Sequence, residues 1–115
     1  AEQGNADAQY NLGVMHHLGQ GVEQNFSEAA NWYLRAAEQG NAAGQSHLGL
    51  MYFEGKGVAQ DYVQSYKWAY LSANQGQDQA IQGLSMLKKV MTLEQIEQAK
   101  ALARNWRSKG HEEVL

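Results

Sequence analysis

Two consecutive stretches decide the fold of this chain: AEQGNADAQYNLGVMHHLGQGVEQNFSEAANWYLRA at residues 1–36 and AEQGNAAGQSHLGLMYFEGKGVAQDYVQSYKWAYLS at residues 37–72. They align without a gap, and 15 of the 36 positions are identical. A repeat of this period is typical of stacked helical pairs rather than of a compact enzyme domain. The sequence therefore predicts an all-α fold, an α/α superhelix (solenoid) of antiparallel, tetratricopeptide-like helix pairs.

A third, altered unit follows the two copies. Ala80 and Leu84 still match Ala8 and Leu12, but the segment between the unit's two predicted helices is five residues shorter. Terminal repeats of solenoids are usually atypical because one of their faces meets water. We interpret residues 1–115 as a single repeat domain, with repeats at 5–40 and 41–76 and a degenerate C-terminal capping helix pair at 77–110.

The first four residues match residues 37–40, where the second helix of the first repeat is predicted to end. Residues 1–4 are therefore interpreted as the tail of a preceding helix, and the chain as a segment of a longer array. Apolar surface around Ala6, Leu12 and Met15 would then lack a neighbour, which favours self-association through the N-terminal end.

Composition narrows the functional classes. The chain has a formal net charge of −3 and no basic stripe, so nucleic acid is not an expected partner. No long apolar run predicts membrane insertion. The absence of cysteine excludes disulfides, thiolate catalysis and cysteine-ligated zinc. It leaves the compartment open, since cytoplasmic, periplasmic and secreted locations are all compatible with it.

Recurrent capping patterns predict where the second helices begin. Asn25, Asp61 and Thr92 each precede an apolar stretch, with an acidic or amide side chain three residues on. Such side chains accept hydrogen bonds from the free N–H groups of a first turn. Inside the first helices, Gly13 and Gly49 indicate close approach of a neighbouring helix. The matched Trp32 and Trp68 are both expected to be largely buried between the helices of their units.

The recurring residues resemble the Sel-one-like repeat (SLR), a relative of the tetratricopeptide repeat. The resemblance rests on residues 6–13 (ADAQYNLG), 19–22 (GQGV) and 36–40 (AAEQG), and on their second-copy counterparts. It covers residues 1–76 closely and the rest loosely. It implies a right-handed α/α superhelix that serves as a scaffold for protein–protein contacts, without catalytic, cofactor-binding or metal-binding residues.

Motifs of catalysis and metal binding are weak. The Gly-X-Gly pairs lack the preceding strand that a phosphate-binding loop needs. Ser85-X-X-Lys88 and Ser72-X-Asn74 match two elements of serine β-lactamases, but in reversed order and without the third element, Lys-Thr-Gly. A metal site needs helical ligands three or four residues apart, and adjacent His16 and His17 do not meet this spacing.

One predicted surface favours binding. The first helices of a stacked array line its concave side, so matched stripes on them would lie next to each other as one groove. The groove would suit a helix or an extended peptide of a partner protein. Its predicted partner-binding residues are Asp7, Tyr10, Val14, His17, Leu18, Ser46, Leu50, Phe53, Gln82, Met86 and Lys89.

The sequence allows other interpretations of these residues and of the chain's function. Val14, Leu50 and Met86 could instead pack against neighbouring repeats, whereas Tyr10, His17 and Phe53 are expected to be exposed because they vary between repeats. For the chain as a whole, the main hypothesis is a non-enzymatic binding module. The alternatives are a hydrolase with weak β-lactam-cleaving activity and a structural spacer that self-associates.

Overall fold

The computed structural model describes residues 2–106, with side chains from Ala6 onward. These residues form six helices and no strand, which confirms the predicted all-α fold for this part of the chain. His111 and residues 107–110 of the predicted third unit lie outside the described residues. The helices are α1 (Glu2–Leu18), α2 (Phe26–Glu38), α3 (Ala42–Glu54), α4 (Tyr62–Ala73), α5 (Asp78–Val90) and α6 (Leu93–Asn105).

Side-chain caps start the second helix of every unit, as the sequence predicts. The Asn25 side chain accepts a hydrogen bond of 3.0 Å from the backbone N–H of Glu28. Asp61 accepts one of 3.1 Å from the N–H of Gln64. Thr92 and Gln95 form a reciprocal capping box. Each cap satisfies a donor that the helix itself leaves free, so the helix starts are fixed locally.

The first two units are helical hairpins. α1 packs against α2 and α3 against α4, while α2 contacts α3 and α4 contacts α5 to join successive units. Segments 19–25 and 55–61 connect the two helices of each hairpin. Gly55, at φ 73°, ends α3 in a left-handed conformation that suits glycine. The shared core contains the buried residues Ala29, Ala30, Tyr33, Ala37, Leu48, Met51 and Trp68.

The third unit is packed differently. Only Met91 and Thr92 separate α5 from α6, and α6 lies against α4 rather than along α5. A second core cluster forms where α4, α5 and α6 meet, from the buried residues Tyr66, Leu87, Met91, Ile96 and Ala99.

Trp32 and Trp68 do not share the predicted burial. Trp68 is 3% exposed and meets Trp106 edge to face, with the ring centroids 5.8 Å apart. Trp32 is only partly buried, and the guanidinium of Arg35 lies 4.7 Å from its ring centroid. The expectation of equal burial is therefore wrong for Trp32. The reason is that Trp68 packs into the core shared by two units, and Trp32 is not part of that core.

Residues 2–4 differ in structure from residues 38–40, which have the same sequence. Glu38 ends α2, and the chain turns at Gly40 with φ 92° before α3 begins. The matching residues 2–4 continue helically into α1 instead of forming the separate tail that the sequence suggested. Around residue 40 the turn is closed by backbone bonds from Asn41 and Gln39 to the carbonyl of the buried Ala36.

Candidate functional site

Matched clefts lie between the first helices of successive units. The first cleft lies between α1 and α3 over α2, and the second cleft lies between α3 and α5 over α4. The second cleft is an open cavity of about 280 Å³. Its lining residues are Ser46, His47, Gly49, Leu50, Phe53, Ser65, Ala69, Gln79, Ala80, Gln82, Gly83, Met86 and Leu87.

The walls of the second cleft are apolar and accessible. Leu50 on α3 is 48% exposed and Met86 on α5 is 53% exposed. Phe53 forms part of the same wall, and its ring packs on that of Tyr62 with the centroids 5.7 Å apart. Large apolar side chains that remain half exposed around a concave space are typical of a binding surface.

The floor of the second cleft is fixed by a close approach of α3 and α4. The Ser65 hydroxyl donates a hydrogen bond of 2.7 Å to the carbonyl of Gly49. A Cβ on Gly49 would lie only 3.1 Å from the Ser65 carbonyl oxygen, so glycine permits this contact. The prediction that glycine marks a close helix approach is confirmed here. A rigid floor means that the cavity does not close by collapse of α3 onto α4.

The first cleft is filled by aromatic rings. The Tyr33 ring rises from α2, with its centroid 5.7 Å from that of Tyr10 and 5.1 Å from that of His47. The Tyr33 hydroxyl forms a hydrogen bond of 3.2 Å with Nδ1 of His17. A Cβ on Gly13 would lie 2.6 Å from the Tyr33 ring, so the glycine makes room for the ring. The first cleft is therefore part of the core.

Burial perturbs the titration of this ring cluster. The pKa of Tyr33 is raised well above its ordinary value by burial and, secondarily, by the neighbouring Tyr10. The pKa of His17 is lowered by burial, with further contributions from His47 and Lys56. Both shifts favour the neutral forms, as expected for rings that pack on one another. Burial thus favours the neutral form of both Tyr33 and His17.

Three matched positions account for the difference between the clefts. Each carries a ring in the first cleft and a small residue in the second: Tyr10 and Ser46, Tyr33 and Ala69, His47 and Gly83. His47 contributes to both clefts, because it packs on Tyr33 and also lines the second cavity. The second cleft is open because small residues stand at these three matched positions.

The structure divides the predicted groove residues among several environments. Five of them line the second cleft together: Ser46, Leu50, Phe53, Gln82 and Met86. Tyr10 and Val14 pack on the core and His17 bonds to Tyr33. Phe53 is also only partly exposed and packs against the second core cluster, so the expected exposure is wrong for Tyr10, His17 and Phe53. For Val14 the alternative of packing applies, whereas Leu50 and Met86 are exposed.

Asp7, Leu18 and Lys89 are surface residues outside the second cleft. Asp7 accepts a hydrogen bond of 3.0 Å from the side chain of Asn41, and Leu18 is 58% exposed. Lys89 is exposed near the end of α5. None of the three lines the cavity, so they do not belong to the candidate site.

Sequence reasoning missed Ser65, Ala69 and Gly83 as site residues. It searched the first helices only, whereas Ser65 and Ala69 come from α4, which forms the floor. A signal for them was present, since Ala69 and Gly83 replace the rings of Tyr33 and His47 at matched positions. Loss of two rings at positions that face each other predicts a cavity.

The residues of the hydrolase alternative are not assembled into a site. Ser85 and Lys88 are exposed on α5, while the Ser72 hydroxyl donates a hydrogen bond of 2.7 Å to the Ala42 carbonyl. None of them lines the second cleft. Among the residues that the structure describes, no group of three histidine, aspartate or glutamate side chains could hold a metal ion. None of the six helices is long and apolar enough to cross a bilayer.

Comparison with known proteins agrees with the repeat pattern. The Sel1 repeat profile matches residues 6–41 and 42–77. A crystal structure of c5321, a protective antigen present in uropathogenic Escherichia coli strains and displaying an SLR fold, superposes with a TM-score of 0.85 at 34% identity. The match covers 95% of this chain and 24% of that one.

A Sel1 repeat protein from Oxalobacter formigenes is also similar, with a TM-score of 0.70 and 40% identity over 72% of this chain and 34% of that one. The chain thus spans about a quarter and about a third of the lengths of these two proteins. A search of curated proteins gave no match. The solenoid fold that the sequence predicts is confirmed by these similarities.

Proposed function

This chain belongs to the Sel1 repeat family, and from that membership we propose that it binds a segment of a partner protein in the second cleft. Proteins of this family are generally scaffolds for protein interactions and typically not enzymes. One observation carries the choice of surface: an open apolar cavity of about 280 Å³ lies between α3 and α5, flanked by half-exposed Leu50 and Met86.

The shape of the second cleft suits a peptide segment. Leu50 and Phe53 come from one helix and Met86 from the next, so an incoming segment would contact two units at once. Ser46, Gln79 and Gln82 supply hydrogen-bonding groups around an apolar centre. An apolar centre with a polar rim is the usual composition of protein-binding surfaces.

A peptide-display selection on the purified chain tests this proposal. Selected peptides are measured by calorimetry against the wild type and two variants, Leu50→Lys in the cleft and Leu93→Lys on α6. Both replaced side chains are exposed, so neither variant should unfold the protein. We expect Leu50→Lys to weaken binding by about tenfold or more and Leu93→Lys to leave it unchanged. Equal binding by Leu50→Lys would place the site elsewhere.

Self-association is a second candidate function, and the exposure of Ala8 favours it. Its counterparts Gly44 and Ala80 are buried, and a Cβ on Gly44 would lie 2.9 Å from that of Ala36. Ala8 is exposed on α1, so this face can accept another helix. Sedimentation at increasing concentration should then show association that Ala8→Arg abolishes. A monomer at every concentration would refute it.

A further inference from the structure

We infer that the second cleft takes an aromatic side chain of the partner protein, inserted where the first cleft holds a ring of its own chain. The inference rests on the proposed function and narrows it to the chemistry of the partner's anchor. Its basis is internal, because the molecule contains the same cleft twice, once filled and once open.

The space left in the second cleft matches a ring. Gly13 makes room for the Tyr33 ring in the first cleft, where any Cβ at residue 13 would collide with it. Gly49 matches Gly13, but a Cβ there would meet the backbone of α4, and the residue matching Tyr33 is Ala69. On the facing helix, Gly83 has nothing within 4 Å of the position of a Cβ. The space beside Ala69 and Gly83 is therefore open where the first cleft holds the rings of Tyr33 and His47.

The retained walls have the right chemistry. Leu50 and Leu87 replace Val14 and Met51, so the aliphatic surface that surrounds the rings of the first cleft is kept. Met86 adds a thioether, which contacts aromatic rings favourably. The walls therefore favour a flat, polarisable group over a branched aliphatic one.

The lining excludes a charged anchor, and the volume of the cavity accommodates a ring. None of the lining residues is acidic or basic, apart from the imidazole of His47, whose Nδ1 already bonds to the Ala43 carbonyl. A lysine, arginine or carboxylate inserted here would lose its hydration without gaining a charged partner. An apolar cavity of about 150 Å³ binds benzene. About 280 Å³ therefore holds one ring together with the first atoms of its attachment.

A fragment titration tests the ring directly. The probe is p-cresol, the side chain of tyrosine, and the control is 4-methylcyclohexanol, which has a similar outline without aromaticity. Methyl NMR signals of Leu50, Met86 and Leu87 are followed. We expect p-cresol to shift these methyls and the control to shift them several-fold less at equal concentration. No shift with p-cresol, equal shifts with both compounds, or shifts centred outside the second cleft would overturn the inference.

The molecule itself provides the blocking variant. Ala69→Tyr with Gly83→His places in the second cleft the two rings of the first, at positions that border the open cavity. We expect this variant to lose the p-cresol response. Met86→Lys, at an exposed position, is the independent blocking variant if the double variant fails to fold. Undiminished p-cresol binding by a folded blocking variant would overturn the inference.

The peptide selection separates this inference from the proposed function. We expect selected peptides that depend on Leu50 to share a phenylalanine, tyrosine or tryptophan at one position. Replacing that residue by leucine should weaken binding by about tenfold or more. Peptides that need Leu50 but bind equally well with leucine would overturn the aromatic anchor and leave the proposed function standing. Peptides indifferent to Leu50→Lys would overturn both.

Discussion

The two clefts are built on the same backbone plan and end in opposite states. In the first, Tyr10, Tyr33 and His47 bring three rings within 6 Å of one another and join the core. In the second, the matched residues are Ser46, Ala69 and Gly83, and the space stays open. Small residues at the matched positions of one copy therefore leave open a space that rings fill in the other.

The largest effect is expected from removing a ring from the filled cleft. Tyr33→Ala should lower the free energy of unfolding by about 3–5 kcal/mol, because Tyr33 is 1% exposed and packs on two further rings. Urea denaturation measures it. The matched control is Met86→Ala at the rim of the open cleft, which should change stability by less than about 0.5 kcal/mol. Similar losses of stability in both variants would contradict the distinction between a filled first cleft and an open second cleft.

A second test uses the matched tryptophans. Trp68→Ala should cost about 3 kcal/mol, since the ring lies in the core shared by two units and touches Trp106. Trp32→Ala should cost about 1 kcal/mol, as expected for a partly exposed side chain. The two variants are compared by their urea midpoints. Equal midpoints would show that both repeats bury this position alike.

Glycine substitutions should have opposite signs in the two clefts. Gly13→Ala places a methyl 2.6 Å from the buried Tyr33 ring, and overpacking of about 1–3 kcal/mol should outweigh the helix preference of alanine. Gly83→Ala meets open space and should stabilise by about 1 kcal/mol. Thermal melts of both variants check the signs. Destabilisation by Gly83→Ala would mean that the second cleft has no spare room on α5.

The smallest expected effect is on pH dependence. The lowered pKa of His17 means that the unfolded chain, with a pKa near 6.5, binds a proton more readily than the folded one. The contribution of His17 to stability is therefore complete above pH 6.5 and is lost as the pH falls through the lowered pKa. His17→Phe, which copies residue 53, should flatten the loss of stability between about pH 7 and pH 5. Parallel curves for both proteins would contradict this.

Much of the fold follows from the sequence. The period gave the first two hairpins, and the side chains of Asn25, Asp61 and Thr92 marked helix starts because a cap acts within one turn. The local sequence could not show which neighbouring element each segment packs against. The sequence EQGNA occurs twice: the first copy lies within α1, and the second turns between α2 and α3, where backbone hydrogen bonds to the Ala36 carbonyl close the turn.

The site was predictable only in part. Leu50, Phe53 and Met86 followed from the stripe on the first helices, since a helical period fixes which residues share a face. Variation between repeats does not indicate exposure here: Tyr10 and His17 differ from their counterparts Ser46 and Phe53, yet both pack against Tyr33. Whether a ring points inward depends on the residue facing it, and that requires the packed structure.

Gly57 affects whether the two repeats unfold together or one after the other. Its φ is 75°, and a Cβ there would run into the carbonyl of Phe26 in the preceding unit. In a linear array, stability is a sum of unit terms and nearest-neighbour coupling terms, and this contact belongs to the coupling. A side chain at residue 57 would weaken this coupling, and the positive φ would also strain the loop between α3 and α4. Cooperative unfolding in one step should then give way to two steps, and a single sharp transition in Gly57→Val would show that the coupling resides elsewhere.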